Sequence, residues 1–203
     1  MRLPKIREIK EALTAVAKGP YTHPFPKEPT PIPENLRGAP KYNPDYCIGC
    51  GACAEVCPAD AISVKEIKQD GKTIRRLTCN YANCIFCGEC QLNCTTEKGI
   101  QLSNEYELSY FDEAEAKESI DHEMLVCEIC GKSIAPKKQY EYLYQKLGTI
   151  AYANPTVYLS HAQDLELIKN IPPRDDRPIG RWDMVKICCP SCRRDVLLKE
   201  EWG

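Results

Sequence analysis

The chain has 203 residues, a formal net charge of −2 and 14 cysteines, and this charge balance argues against a nucleic-acid-binding protein. It contains no run of about 18 apolar residues that would predict a transmembrane helix, and its N-terminus lacks the apolar stretch of a signal peptide. The cysteines are therefore expected to be metal ligands in a reducing cytoplasm rather than disulfides of a secreted protein.

Residues 3–17 have the periodicity of an amphipathic helix. The apolar side chains at intervals of three and four positions are Leu3, Ile6, Ile9, Leu13 and Val16. The basic side chains of the opposite face are Arg2, Lys5, Arg7, Lys10 and Lys18. Such a helix can dock on a partner, lie on an anionic membrane surface or pack against its own domain.

Residues 20–44 contain eight prolines, which exclude a regular helix or a central strand and favour an extended segment. Scattered aromatic residues such as Tyr21 and Phe25 are unusual in disordered linkers. We therefore interpret the segment as an arm that lies over another subunit, with a free linker as the alternative. Residues 1–42 are predicted to form an N-terminal amphipathic helix followed by this arm.

Two cysteine runs with the same C-x2-C-x2-C-x3-C spacing dominate the predicted core domain, residues 43–110. This spacing is typical of [4Fe-4S] ligands, and in two-cluster ferredoxins the fourth cysteine of each run ligates the other cluster. The predicted ligands of the first cluster are Cys47, Cys50, Cys53 and Cys94. Those of the second cluster are Cys57, Cys84, Cys87 and Cys90. The sequence thus predicts two [4Fe-4S] clusters and a chain that carries electrons.

Short strands are predicted after each run. Ile62-Ser-Val64 is followed by a hairpin turn at Asp70-Gly71 and a return strand at 73–78. The second run ends in the strand 100–102. The two halves indicate an internal duplication with approximate two-fold symmetry. We predict an α+β fold, a bacterial-type two-cluster ferredoxin core with an extended N-terminal arm and a small C-terminal zinc-knuckle module.

The C-terminal module, residues 111–203, is predicted to begin with an acidic helix around 111–120. Further helices are expected around 140–147, where Gly148 ends the periodicity, and around 162–170, followed by a proline-rich loop at 172–178. Two C-x2-C knuckles are formed by Cys127, Cys130, Cys189 and Cys192. Four thiolates make a closed tetrahedral site suited to structural zinc, and rubredoxin-like iron is the alternative.

The remaining cysteines and the histidines are not predicted to act in chemistry. Cys188 adjoins a knuckle cysteine, and Cys79 precedes the second run by five residues. We interpret both as buried free thiols, which are common small apolar residues. The three histidines have no nucleophile or metal partner at motif spacing, and no phosphate-binding loop is present. The chain is therefore expected to have no catalytic residues of its own.

Residues from about 40 to 110 resemble the two-cluster ferredoxin subunit shared by respiratory complex I and the membrane-bound energy-converting [NiFe] hydrogenases. The segments that carry this resemblance are residues 80–88 and 103–109, with Leu36-Arg37-Gly38 and Tyr42 upstream. The extra cysteine pairs at the C-terminus resemble the formate hydrogenlyase branch. One departure is that Cys94 is followed by Thr95 rather than proline, which is expected to leave the cluster in place.

The resemblance implies a peripheral electron-transfer subunit on the cytoplasmic side of a membrane, bound to a hydrogenase-like or complex I-like catalytic subunit. The first alternative is a freely diffusing two-cluster ferredoxin, although such a carrier needs neither the arm nor the C-terminal module. The second is a redox-sensing regulatory protein whose zinc module binds nucleic acid. Lys137-Lys138 and Arg193-Arg194 are the only basic pairs near the knuckles, so no nucleic-acid partner is predicted.

Overall fold

A computed structural model describes residues 5–19, 21–69, 71–168 and 178–198. The chain divides into two compact units, residues 1–36 and 37–203. The helices are α1 (Ile6–Lys18), α2 (Ala52–Glu55), α3 (Glu89–Leu92), α4 (Lys137–Leu147), α5 (Pro155–Asp164) and α6 (Pro190–Leu198). The strands are β1 (Pro40–Tyr42), β2 (Ile62–Gln69), β3 (Lys72–Asn80), β4 (Ile100–Leu102), β5 (Lys117–Val126) and β6 (Ser133–Pro136).

The N-terminal unit consists of helix α1 and an irregular segment. The predicted amphipathic helix is confirmed over Ile6–Lys18, and residues 3 and 4 lie outside the described part of the chain. The backbone N–H of Lys5 donates to the Glu8 carboxylate at 3.0 Å, which begins the helix. Its apolar row is exposed, with Ile6 at 87% and Val16 at 85%. Residues 21–36 form turns, bends and irregular backbone.

The core is built from two equivalent halves, which confirms the predicted duplication. Strand β1 pairs antiparallel with β4, and β2 pairs antiparallel with β3. Each cysteine run follows an asparagine that closes the same turn. The Asn43 side chain accepts from the N–H of Asp45 at 3.0 Å, and the Asn80 side chain accepts from the N–H of Ala82 at 3.0 Å. The hairpin between β2 and β3 includes Gly71, whereas its predicted partner Asp70 lies outside the described residues.

The helix predicted around 111–120 is wrong. Residues 111–116 form turns, and Lys117–Val126 form β5, which pairs with β3 and β6 in a sheet of order β2-β3-β5-β6. The acidic side chains of β5 form ion pairs with basic side chains of the neighbouring strand β3. Asp121 binds Arg76 at 2.6 Å, and Glu123 binds Lys72 at 3.4 Å. Cross-strand ion pairs and buried alternate residues stabilise the strand, and they override the local helical pattern.

The C-terminal segment packs its helices against this sheet. The helix predicted around 140–147 is confirmed as α4, which ends at Gly148. The helix predicted at 162–170 is displaced, because α5 begins at Pro155, where the Asn154 side chain accepts from the N–H groups of the first turn. Residues 169–177, which include most of the predicted proline-rich loop, are outside the described ranges. Strand β5 of the predicted C-terminal module pairs with β3 of the predicted core domain, and the three-domain division stays a prediction.

None of the described helices is both long enough and apolar enough to span a bilayer.

Candidate functional site

Two cysteine-lined cavities lie in the core. The cysteines of the first cavity are Cys47, Cys50, Cys53 and Cys94. Those of the second cavity are Cys57, Cys84, Cys87 and Cys90. Each cavity therefore joins the first three cysteines of one run to the last cysteine of the other. The short helices α2 and α3 turn each chain segment so that its fourth cysteine reaches the opposite cavity.

Hydrogen-bond donors surround the sulfur atoms. The N–H of Ala61 donates to the Cys57 sulfur at 3.3 Å, and the N–H of Phe86 donates to the Cys84 sulfur at 3.5 Å. The hydroxyls that follow Cys94 also approach sulfur atoms, with Thr95 Oγ1 3.4 Å from the Cys50 sulfur and Thr96 Oγ1 3.5 Å from the Cys94 sulfur. The departure from proline after Cys94 thus places one hydroxyl, that of Thr95, at the first cavity, and Thr96 adds a second.

Burial sets the protonation of these thiols. Desolvation raises the pKa of Cys53 to about 12 and that of Cys90 to about 11, since a thiolate is costly in a dry cavity without a nearby cation. Burial acts on Cys94 in the same direction, but hydrogen bonds from Thr96, Ile100 and Gly99 lower its pKa. The raised pKa values of Cys53 and Cys90 mean that these two buried thiols need a nearby positive charge to ionise, and the iron of an iron–sulfur group would supply that charge.

The first cysteine loop is covered by the C-terminal segment. The His122 and Pro136 side chains lie directly against Gly49, so that a Cβ atom there would stand 2.8 Å from His122 Cδ2. Lys138 Nζ donates to the carbonyl of Pro44 at 2.6 Å, and the Tyr142 hydroxyl donates to the carbonyl of Thr95 at 3.3 Å. Sequence reasoning missed this cover because it treated the C-terminal module as separate.

Among the described residues, none forms an equivalent cover over the second loop. Ile48 and Ile85 hold the same position in the two runs, directly after the first cysteine, yet Ile48 is 8% exposed and Ile85 is 62% exposed. Within this chain Ile48 is therefore shielded from water, whereas Ile85 is not.

Alanine at position 49 is expected to destabilise the protein more than alanine at position 51. Both glycines have positive φ, +68° and +84°, which costs about 1–2 kcal/mol for other residues. At Gly49 the added methyl group also meets His122 and Pro136, whereas at Gly51 its nearest neighbour is a Val64 methyl at 3.6 Å. Overpacking adds roughly 1–3 kcal/mol. Thermal bleaching of the cluster absorbance should reveal a larger fall in midpoint for Gly49→Ala, and equal falls would contradict the contact.

A third cysteine group lies in the C-terminal segment. The sulfur atoms of Cys127, Cys130, Cys189 and Cys192 all lie within 4.8 Å of one another. The Cys130 and Cys189 sulfurs are 3.7 Å apart. A tetrahedral site with bonds of about 2.3 Å to sulfur has edges of about 3.8 Å, so the spacing suits a metal held by four thiolates. The predicted spare thiol Cys188 is buried outside this group.

Neighbouring side chains hold the two knuckles together. Glu128 accepts from the N–H of Ile187 at 2.9 Å and from the Gln163 amide at 3.2 Å. The Arg193 guanidinium donates to the carbonyls of Met184 and Lys186 at 2.6 Å each. Burial would raise the pKa of Cys127, but backbone N–H groups of the knuckles lower it to about 7. One ligand of the group is therefore ready to bind a cation near neutral pH.

Comparisons with known proteins agree with this geometry. Residues 46–98 match the family model described as a 4Fe-4S dicluster domain. The chain is 34% identical over 127 residues to formate hydrogenlyase subunit 6 of Escherichia coli (strain K12), covering 63% of this chain and 69% of that protein. It is 32% identical over 118 residues to NADH-quinone oxidoreductase subunit I 2 of Geobacter metallireducens, covering 55% of this chain and 88% of that protein.

A solved structure of the membrane-bound sulfane sulfur reductase, an archaeal respiratory membrane complex, contains a similar chain. The identity is 27%, the coverage is 57% of this chain and 61% of that chain, and the TM-score of 0.39 is too low to support a structural argument. The family match and the two curated relatives carry the assignment. This chain belongs to the family of [4Fe-4S] dicluster subunits that includes formate hydrogenlyase subunit 6 and NADH-quinone oxidoreductase subunit I.

Proposed function

We propose that this chain is an electron-relay subunit of a membrane-associated oxidoreductase and that it binds two [4Fe-4S] clusters through exchanged fourth cysteines. The observation that carries the proposal is the composition of the two cavities, each lined by three cysteines of one run and the fourth of the other. When bound, such clusters accept and pass on single electrons. The ligands of the first cluster are Cys47, Cys50, Cys53 and Cys94, and those of the second are Cys57, Cys84, Cys87 and Cys90.

The chain itself orients the ligands, excludes water and places donors at sulfur. Two apolar side chains that line the first cavity, Leu77 and Ile100, are almost fully buried, so the medium around its sulfur ligands is dry. The hydrogen bonds from Ala61 and Phe86 to cysteine sulfurs stabilise negative charge on them. Donors and solvent exclusion of this kind set the potential of a bound cluster.

We assign a structural zinc ion to Cys127, Cys130, Cys189 and Cys192, with iron as the less favoured occupant. The close approach of the four sulfurs supports a closed tetrahedral site, and such a site leaves no position open for substrate. Its role is to tie together β5, β6 and α6, the elements around the cover of the first cysteine loop.

We place the chain peripherally on the cytoplasmic side of a membrane, beside a hydrogenase-like or complex I-like catalytic subunit. The names of its relatives, formate hydrogenlyase subunit 6 and NADH-quinone oxidoreductase subunit I 2, support an assembly of this kind. Helix α1 offers an exposed apolar row that suits a partner or an anionic membrane surface. A free ferredoxin is disfavoured because a diffusing carrier needs neither this helix nor the C-terminal segment.

The assembly is tested by the size of the native species. Membranes solubilised anaerobically in mild detergent are separated by gel filtration, and the chain is followed by antibody together with iron. We expect it to elute with other subunits, well above its own mass of 23.0 kDa, and to become reduced when the donor substrate of the complex is added. Elution of the iron-loaded chain alone, in an untreated soluble extract, would favour the freely diffusing ferredoxin.

A further inference from the structure

The duplication places one buried polar side chain at the equivalent core position of each half. Tyr42 and Cys79 both stand five positions before the first cysteine of their run. Tyr42 is 8% exposed and Cys79 is fully buried. They occupy equivalent places in the two pairs of strands, because Tyr42 pairs with Ile100 and Cys79 pairs with Ile62. The two halves thus offer different hydrogen-bond donors at the same site, a hydroxyl in one and a thiol in the other.

Tyr42 lines the first cavity together with Cys53, and its hydroxyl is buried. No hydrogen bond of ordinary geometry satisfies this hydroxyl within the described ranges. A buried hydroxyl without an acceptor is unfavourable, so its position points to an acceptor in the occupied cavity.

Cys79 provides the weaker counterpart at the second cavity. Its side chain is packed in the same buried cluster as Cys90 and Cys57. A thiol is a much weaker donor than a phenolic hydroxyl. The first cavity consequently receives the stronger donor of the pair.

We propose that Tyr42 is a positioning residue for electron transfer, whose O–H group donates a hydrogen bond to the Cys53 sulfur and raises the potential of the first cluster above that of the second. This inference rests on the proposed function. A hydrogen bond to a ligand sulfur withdraws negative charge, and the reduced form of a cluster carries one more negative charge than the oxidised form. The hydroxyl therefore favours reduction of the first cluster, and an electron shared by the pair resides there.

The test compares Tyr42→Phe with the unaltered full-length chain in an anaerobic redox titration followed by EPR. We expect the ratio of reduced to oxidised first cluster, at a fixed ambient potential, to fall about threefold to tenfold, where tenfold corresponds to 59 mV for one electron. The second cluster should keep its potential. Its signal is identified as the one missing from a Cys57→Ala variant.

Tyr81→Phe is the matched control. Tyr81 is also a buried tyrosine of the core, but its hydroxyl donates to the carbonyl of Pro40 at 3.0 Å and its side chain lines neither cysteine cavity. This variant loses the same atom without loss of a sulfur contact, and both clusters should keep their potentials. A shift of the first cluster as large as that in Tyr42→Phe would overturn the proposal, because it would attribute the effect to packing.

Unchanged potentials in Tyr42→Phe, at full iron content, would also overturn the proposal. If Tyr42→Phe loses iron, fluorotyrosine is introduced at position 42 instead, since its more acidic O–H is a stronger donor. The potential of the first cluster should then rise, and a fluorotyrosine protein with no rise would overturn the inference. Failure of the proposed function itself looks different, because the unaltered chain would then contain far fewer than about eight iron atoms.

Discussion

Replacing Cys57 with alanine should remove the cluster of the second cysteine run and spare the cluster of its own run. The reason is the crossed lining of the cavities, in which Cys57 lies with Cys84, Cys87 and Cys90. Iron should fall from about eight to about four atoms per chain, as expected for the loss of one cube. EPR of the reduced protein should change from two magnetically interacting clusters to one isolated cluster.

The reciprocal change, Cys94→Ala, should remove the first cluster, since Cys94 lines the first cavity. Cys79→Ala is the matched control, because Cys79 is a buried cysteine beside the second cavity that is not among the predicted ligands, and it should keep about eight iron atoms. The double variant Cys57→Ala, Cys79→Ala excludes replacement of the missing ligand by the nearby Cys79 thiol. Loss of the first cluster from Cys57→Ala would contradict the exchange of ligands.

Replacing Cys189 with serine should release the third metal and loosen the C-terminal segment. Structural zinc sites contribute about 10–16 kcal/mol of apparent binding free energy, which is also folding free energy for the elements they join. The metal content should fall by one zinc per chain, or by one iron if iron occupies the site. Amide hydrogen exchange over β6, α4 and α5 should become much faster, as measured by mass spectrometry of peptides.

The same variant should weaken the first cluster, because Lys138 and Tyr142 on α4 contact its cysteine loop. The cluster absorbance should then bleach at a lower temperature. Cys188→Ser is the control, since Cys188 adjoins Cys189 and is buried, but its thiol faces the carbonyl of Asp183 at 3.8 Å. It should keep the metal. Full metal content in Cys189→Ser, or its loss from Cys188→Ser, would contradict the assignment of the knuckles.

Cysteine spacing predicted the core of this protein because metal ligands impose strict local geometry. The two runs needed no tertiary information, since each loop is defined by its own glycines and cysteines. Helix α4 was also predictable, because its periodicity and its final Gly148 lie within one short segment. Pairing of the knuckles across 58 intervening residues rested on metal chemistry alone, and the structure brings these four sulfurs together.

Strand β5 could not be predicted from its own residues. Its acidic side chains are stabilised by partners distant in sequence, such as Arg76 for Asp121. The spacing of residues within the strand does not indicate these partners. The cover of the first cysteine loop was missed for the same reason. His122 has no recognisable motif, and its place against Gly49 follows only once β5 has joined the sheet. The start of α5 could have been predicted from the sequence, because Asn154-Pro155 is a strong helix-start signal.

The unequal burial of Ile48 and Ile85 has a consequence for assembly. Ile85 is exposed, as is Leu92 at 79%, so one end of the cluster pair is in contact with water. The other end, at Ile48, is covered by this chain. Displacing water from a redox centre lowers its local dielectric constant and changes its potential. A subunit that docks at the exposed end can therefore change the potential of the centre there, but not that of the centre already covered by this chain. Formation of the complex would then change the driving force between the two centres.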